Sequence, residues 1–138
     1  IIINGDTIID INFKEFINDS KYSDLIIGVK KVKKKYIKQS GFIEFDNKKN
    51  IISFNEKVNP LNNDSGYVNA GLYFFSKKII NMIPDTHPLS IEYDFFPEII
   101  KNKNIDKKAY EYNGPFIDFG TPSGFNKAEI FLRNYNFN

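Results

Sequence analysis

The chain opens IIINGDT, residues 1–7, and the reading of this stretch decides the fold. A short apolar run closed by Asn4-Gly5 predicts a strand buried on both faces, the pattern of a parallel sheet covered by helices. Gly5 lets the backbone turn and lets a bulky group come close. Asp6 then stands just past the carboxyl end of that strand, the edge where ligands of open α/β sheets bind.

Working outward, Phe13, Phe16 and Ile17 recur at helical spacing and predict a short helix over 12–19. LIIGV, residues 25–29, is a second buried strand. KKVKKKYIK follows, with six lysines between positions 30 and 38, and predicts a solvated loop or strand end; an anion-attracting rim is the other reading. Phe42, Ile43 and Phe45, the polar run 46–50 and then Ile51-Ile52-Ser53-Phe54 predict a hairpin. NPLNNDSG, residues 59–66, is a loop. YVNAGLYFF, residues 67–75, is a strand, after which Ser76 caps a helix to about Ile83, before Pro84. Beyond the loop 84–89, Ser90 caps a helix with Asp94 in its first turn and an apolar stripe of Phe95, Phe96, Ile99 and Ile100; Pro97 marks a possible break. Lys107–Tyr112 and Phe116–Phe119 are strands. Thr121-Pro122 starts a last helix, to about Tyr135. Strands and helices thus alternate around a hairpin, which indicates one α/β domain, residues 1–138, with a mixed sheet.

The bulk numbers agree. The length of 138 residues fits one domain, and 41% hydrophobic with 26% charged residues is a globular balance. A net charge of +2 does not point to nucleic acid. No apolar run is long enough to span a bilayer, and no secretory leader is visible. The absence of cysteine excludes disulfides and thiolate metal sites and is compatible with a cytoplasmic location.

Asp118 mirrors Asp6: it ends the strand FID and precedes Gly120 and a helix start. Two such carboxylates could share one hard cation, since Mg²⁺ takes oxygen ligands and adds substrate phosphate oxygens to them. An Asp near a Gly is also an ordinary turn former. Glu56-Lys57 reads equally as an exposed pair. His87, the single histidine, sits in a loop and is assigned no chemistry; Tyr110, Tyr112 and Phe116 read as packing residues.

NGDT, FNEKV, VNAGLYFFSKKI, SIEYDFFPEII and FIDFGTPSGFNKAE come in that order. Together they resemble the C-terminal two-thirds of the sugar-1-phosphate nucleotidyltransferases, most nearly the bacterial heptose-1-phosphate and mannose-1-phosphate guanylyltransferases. The resemblance implies a Rossmann-like mixed, mainly parallel sheet of the nucleotide-diphospho-sugar transferase type, incomplete at its N-terminus. It implies a reaction of an NTP, GTP favoured, with a sugar 1-phosphate to give an NDP-sugar and pyrophosphate, with Mg²⁺. Carried over by motif, Asp6 and Asp118 hold the metal and Lys57 holds the sugar phosphate. Glu56, Asn69, Gly71, Gly41 and Glu92 contact the sugar. A metal ion and a lysine would offset the repulsion between two anionic substrates, with no covalent nucleophile required.

The sequence departs from the family in three places. A Gly-rich nucleotide loop of the type GGxGTRL is absent from these residues, which implies that the chain is the C-terminal portion of an enzyme and inactive alone. The bare edge of the first strand would then need a preceding segment or another copy of the chain. The usual EKP reads EKV here, and the aromatic-Gly pair reads KQSGF. Two other readings are a metal-dependent glycosyltransferase using an NDP-sugar, and a non-catalytic interaction subunit of the same lineage.

Overall fold

Leu25, Ile26, Ile27 and Val29 are successive or alternate residues of one strand, and all are buried. A strand buried on both faces requires cover on both sides, and that requirement organises the chain. The computed structural model describes residues 1–37, 41–56, 64–85, 88–120 and 122–135. The elements run β1 (Ile2–Ile3), β2 (Thr7–Ile9), α1 (Phe13–Ser20), β3 (Leu25–Lys33), α2 (Lys34–Ile37), β4 (Phe42–Phe45), β5 (Ile51–Asn55), β6 (Ser65–Phe75) and α3 (Lys77–Ile80). A π-helical turn (Ile91–Phe95) then runs into α4 (Phe96–Lys101), followed by β7 (Lys107–Glu111), β8 (Phe116–Asp118) and α5 (Pro122–Asn134).

The main sheet has the order β5-β4-β6-β3-β7, with β1 also on β6, and β2 pairs β8 in a separate ribbon. The mixed α/β sheet expected from the sequence is present, with a different balance from the mainly parallel one implied by the resemblance. Among the described strands only β3 and β7 run parallel, from Leu25↔Lys107 to Val29↔Glu111. The ladders of β6 with β1, β3 and β4, and of β4 with β5, are antiparallel. The reason lies in the connections: β4 and β5 join by a short turn, which permits only antiparallel pairing, whereas the long route from β3 to β7 passes through α2, three strands, α3, the π-helical turn and α4.

One edge of β6 carries β3 along its length, from Phe75↔Leu25 to Ser65↔Lys33. Its other edge is shared. Tyr67 and Val68 pair with β4, and Leu72 and Tyr73 pair with β1. Between them, β6 advances from Asn69 to Tyr73 while β3 advances only from Val29 to Ile27, so β6 bulges. Gly71, at φ +66°, lies in that bulge.

Helices cover both faces. On one, the core joins Leu25, Ile27, Val29, Tyr73 and Phe75 to Phe95, Phe96, Ile99 and Ile100. Phe96 is fully buried, with ring centroids 5.1 Å from Phe54 and 5.2 Å from Tyr73. Burial of such a side chain contributes about 1.5–3 kcal/mol. On the other face Phe16 of α1 packs with Ile26 and Leu72, its ring edge-on to Tyr110 at 5.0 Å. Asp24 ties the strand starts together: its carboxylate accepts from Lys78 Nζ at 2.8 Å and from the Asp106 N–H at 3.0 Å.

Several local expectations are realised. Ser76 and Ser90 cap their helices through side-chain oxygens, and the first helix, expected over 12–19, runs Phe13–Ser20 with Asn12 as its cap. Asp46 Oδ1 accepts from the Lys48 and Asn50 N–H groups and closes the β4–β5 turn. Others are corrected. Ile1 and Ile3 are 50% and 40% exposed, so β1 is not buried on both faces; it has β6 on one edge, and Ile2 alone of the three packs on the core. The lysine run is the strand end expected, with Lys31 and Lys33 exposed at the end of β3, but Lys34–Ile37 then form α2 rather than a loop, and its Ile37 is fully buried; one apolar anchor is enough to draw the segment onto the fold. Gly66 lies inside β6, where Phe42 and Ile37 occupy the space a side chain would need. The helix after Ser76 ends at Ile80. The strand β2 was not foreseen, because Thr7–Ile9 is short and its partner lies at the far end of the chain. Residues 57–63, which include most of the loop expected over 59–66, and His87 and Thr121 lie outside the described residues.

Candidate functional site

The site begins at the bulge in β6. Where the strand exchanges β4 for β1 as neighbour, its backbone still bonds both: the Asn69 N–H donates to Gly41 O at 2.8 Å, and the Asn4 N–H donates to Gly71 O at 2.8 Å. A notch opens between these contacts. Asn4, Asp6, Thr7, Gly41, Glu56, Asn69, Gly71, Glu92, Phe116 and Asp118 line it, around a polar cavity of about 110 Å³.

Asn69 organises one wall. Its amide nitrogen donates to Tyr73 Oη at 2.7 Å and to Glu92 Oε1 at 2.6 Å, and its Oδ1 accepts from the Gly71 N–H at 3.0 Å. A flipped amide would set its oxygen against a carboxylate, so the network admits one orientation. The π-helical turn, capped by Ser90, delivers Glu92 to this wall while Phe95 and Phe96 stay in the core. Burial pushes the Tyr73 phenol well above the ordinary tyrosine range, against the Asn69 hydrogen bond, and the charges of Glu92 and Glu56 push it further. Glu56 Oε2 is buried in the same wall. A Cβ on Gly41 would stand 2.7 Å from that oxygen and 2.6 Å from Phe54, so Gly41 leaves the room that Glu56 fills.

The opposite wall is the β2–β8 ribbon, in which Thr7 pairs with Asp118. The Phe119 N–H donates to Asp6 O at 2.8 Å, which places the two aspartates side by side although 112 positions separate them. Asp118 Oδ1 also accepts from the Gly120 N–H at 2.9 Å. A Cβ on Gly120 would lie 2.7 Å from Asp6 Oδ2 and 3.3 Å from Asp118 Oδ1. Both carboxylates therefore face one small space that the missing side chain leaves open. Tyr112 anchors the ribbon: its hydroxyl accepts from the Asp10 N–H at 2.8 Å and lies 2.7 Å from Pro115 O. The Tyr135 hydroxyl bonds to the Asp10 carboxylate and holds the end of α5 against β2.

Of the residues singled out in the sequence, Asp6, Gly41, Glu56, Asn69, Gly71, Glu92 and Asp118 all line this cavity. Lys57 lies outside the described residues. Asn4, Thr7 and Phe116 were not read as lining residues. Asn4 and Thr7 flank the Gly5-Asp6 turn, and Gly71 has no Cβ because Thr7 Oγ1 and Asn4 Cβ would stand 2.8 and 3.0 Å from it. Among the described residues no group of three or more His, Asp or Glu side chains forms a metal cage. The donor set is two carboxylates, the number Mg²⁺ commonly takes from protein before adding water and phosphate oxygens.

Known proteins are similar to this chain in fold and sequence. HddC from Yersinia pseudotuberculosis, solved by crystallography, superposes with a TM-score of 0.74 at 35% identity, over 94% of this chain and 53% of that one. A second crystal structure of that protein is a complex with GMP-PN. The bifunctional protein GlmU of Methanococcus aeolicus is 35% identical over 126 residues, 88% of this chain and 29% of that protein. The D-glycero-alpha-D-manno-heptose 1-phosphate guanylyltransferase of Aneurinibacillus thermoaerophilus is 27% identical over 139 residues, 98% of this chain and 56% of that protein. The chain thus spans between about a third and just over half the length of these relatives. The sequence profile described as nucleotidyl transferase matches residues 1–134. With a profile matched from its first residue into its last helix, the chain belongs to the nucleotidyl transferase family.

Proposed function

We propose that this chain forms the sugar-phosphate and metal side of an active site that joins an NTP to a sugar 1-phosphate, giving an NDP-sugar and pyrophosphate. The observation that carries this reading is the convergence of Asp6 and Asp118 with Glu56, Asn69 and Glu92 around one cavity. The names of the relatives support a sugar phosphate as substrate, and the guanylyltransferase and the GMP-PN complex support GTP.

Asp6 and Asp118 are proposed to hold Mg²⁺ over Gly120, where a Cβ would otherwise intrude. When bound, the ion would neutralise phosphate charge and draw off the negative charge that develops in the transition state. Glu56 and Glu92 accept hydrogen bonds from sugar hydroxyls and orient the ring. Lys57, which follows Glu56 in the sequence, is proposed to carry the compensating charge for the sugar phosphate. Asn69 and Gly71 fix the wall against which the sugar lies. The residues supply position and charge, a combination able to contribute about 7–11 kcal/mol to a bimolecular reaction.

The test is pyrophosphate release by the protein carrying this chain, supplied with Mg²⁺, GTP and a panel of hexose and heptose 1-phosphates. Turnover is expected with at least one sugar phosphate, and Asp118→Asn is expected to lower it at least about 100-fold, the scale of removing one electrostatic stabiliser. Transfer or hydrolysis of an NDP-sugar with no NTP-dependent reaction would replace this reading with a glycosyltransferase. Failure to bind either substrate would replace it with a non-catalytic role.

A further inference from the structure

We infer that Tyr112, a packing residue by its sequence context, is a positioning residue for the Asp6–Asp118 pair, an inference that rests on the shared ion proposed above. Asp118 ends β8 and Asp6 immediately precedes β2, so their separation is set by how these two strands register on each other. The β2–β8 ribbon is a sheet of its own, with the pairs Thr7↔Asp118, Ile8↔Ile117 and Ile9↔Phe116. A two-stranded ribbon this short has a weak hold on its own register. The next pair, Asp10 with Pro115, cannot exchange the two hydrogen bonds of a ladder, because proline has no N–H. The Tyr112 hydroxyl takes that place. It accepts from the Asp10 N–H at 2.8 Å and lies 2.8 Å from Asp10 O and 2.7 Å from Pro115 O. Its single proton thus serves the end of β2 and the start of β8 together.

Tyr112 itself has little freedom. It directly follows β7, it is 5% exposed, and its N–H donates to Val29 O at 2.8 Å. Lys30 of β3 stands 5.5 Å from its ring centroid and donates to Gly114 O at 2.8 Å, which holds the link between β7 and β8. A Cβ on Gly114 would stand 2.6 Å from Tyr112 Cζ and overlap the hydroxyl, so this glycine leaves room for the phenol. Pro115 and Asp118 are separated by about 10 Å of strand. The ribbon is therefore tied across at both ends, by Tyr112 at one and by the Phe119 N–H on Asp6 O, at 2.8 Å, at the other. Sliding of β2 past β8 would break both ties. Ion binding is sensitive to such sliding, since bonds from oxygen to Mg²⁺ tolerate a change of only about 0.2 Å.

The experiment compares Tyr112→Phe with Tyr110→Phe in the full protein carrying this chain, with Mn²⁺ as the probe. Tyr110 packs its ring edge-on to Phe16 at 5.0 Å, and its hydroxyl makes no hydrogen bond among the described residues, so it controls for the loss of a hydroxyl from β7. The site read is the one that Asp118→Asn abolishes. Affinity comes from electron paramagnetic resonance titration, and the number of waters on the bound ion from water-proton relaxation. Tyr112→Phe is expected to bind Mn²⁺ about tenfold more weakly, the scale of disturbing the support of a metal ligand. The ion is also expected to gain about one water, which replaces a displaced carboxylate. Tyr110→Phe is expected to keep the parent values. The water count separates positioning from a loss of folded protein, which lowers the amount of ion bound and leaves its hydration unchanged. Gly114→Ala, whose Cβ displaces the same hydroxyl, is measured beside them and stands in should Tyr112→Phe fail to fold. Parent affinity in Tyr112→Phe overturns the inference and leaves the ion site standing. Weaker binding with an unchanged water count also overturns it. Absence from the parent of any Mn²⁺ site that depends on Asp118 overturns the shared ion, and the inference with it.

Discussion

Gly120→Ala isolates the carboxylate pair from the rest of the fold. A methyl group at that position would sit 2.7 Å from Asp6 Oδ2 and 3.3 Å from Asp118 Oδ1. Gly120 is not among the positive-φ residues, so alanine meets no left-handed backbone penalty there. Asp6 is exposed and can swing aside. Folded stability is therefore expected to change by less than about 1 kcal/mol. The site has less freedom. A carbon and an oxygen not otherwise bonded approach to about 3.3 Å, so Asp6 Oδ2 must retreat by roughly half an ångström. Bonds from oxygen to Mg²⁺ are about 2.0–2.1 Å and tolerate a change of about 0.2 Å. One of the two ligands is then misplaced, and divalent-ion affinity is expected to fall about 10–100-fold, the scale seen when the support of a metal ligand is disturbed. The control is Gly5→Ala in the turn carrying Asp6, where no heavy atom lies within 4 Å of the added Cβ and both stability and ion affinity should hold. Mn²⁺ titration by electron paramagnetic resonance, beside thermal unfolding of each variant, reads both quantities. A stable Gly120→Ala protein that binds Mn²⁺ as tightly as the parent would refute the shared ion.

Three further outcomes follow from the geometry. Gly71→Ala should cost about 1–2 kcal/mol from its backbone alone, since φ is +66°, and more from the crowding of Thr7 and Asn4; an unchanged urea midpoint would contradict the bulge described. Asn69→Ala should lose about 1–3 kcal/mol in the same assay, because it strips partners from Tyr73 and Glu92 together, and a neutral result would mean that the network bears no strain-free hydrogen bonds. The Asp24 carboxyl is held below the ordinary carboxylate range, chiefly by its hydrogen bond from Lys78. Its stabilisation is thus fully present above the unfolded value, about 3.9, and is lost as pH falls through the depressed folded value. Asp24→Asn should lower stability at neutral pH by about 1 kcal/mol and flatten the acid side of the stability profile; parallel pH profiles for the two proteins would rule this out.

The parts of this molecule legible in one dimension are those whose causes are local. Ser76 and Ser90 cap helices because a hydroxyl beside a helix start finds an N–H three residues on. The β4–β5 hairpin was legible because Asp46 and Asn50 close their own turn. β3 and β6 announced themselves by apolar runs. The candidate site was legible as a set of residues through the order of its motifs, yet Asn4 and Thr7 went unread, because what marks them is contact with Gly71, far along the chain. The exposure of Ile1 and Ile3 was misread for the same reason: an apolar run shows that a strand seeks cover and says nothing about how many neighbours it finds.

By itself the sequence determined most of the element types, the mixed α/β class and seven of the ten residues that line the cavity, since propensity, capping and side-chain chemistry act over a few positions. Only the tertiary structure decided the sense of the strand pairings, the bulge that opens the notch in β6 and the meeting of Asp6 with Asp118. Those depend on which distant segments can bury apolar faces together while every backbone N–H and C=O finds a partner. In this chain one edge of β6 is divided between β4 and β1, and the cavity lies in the interval between them.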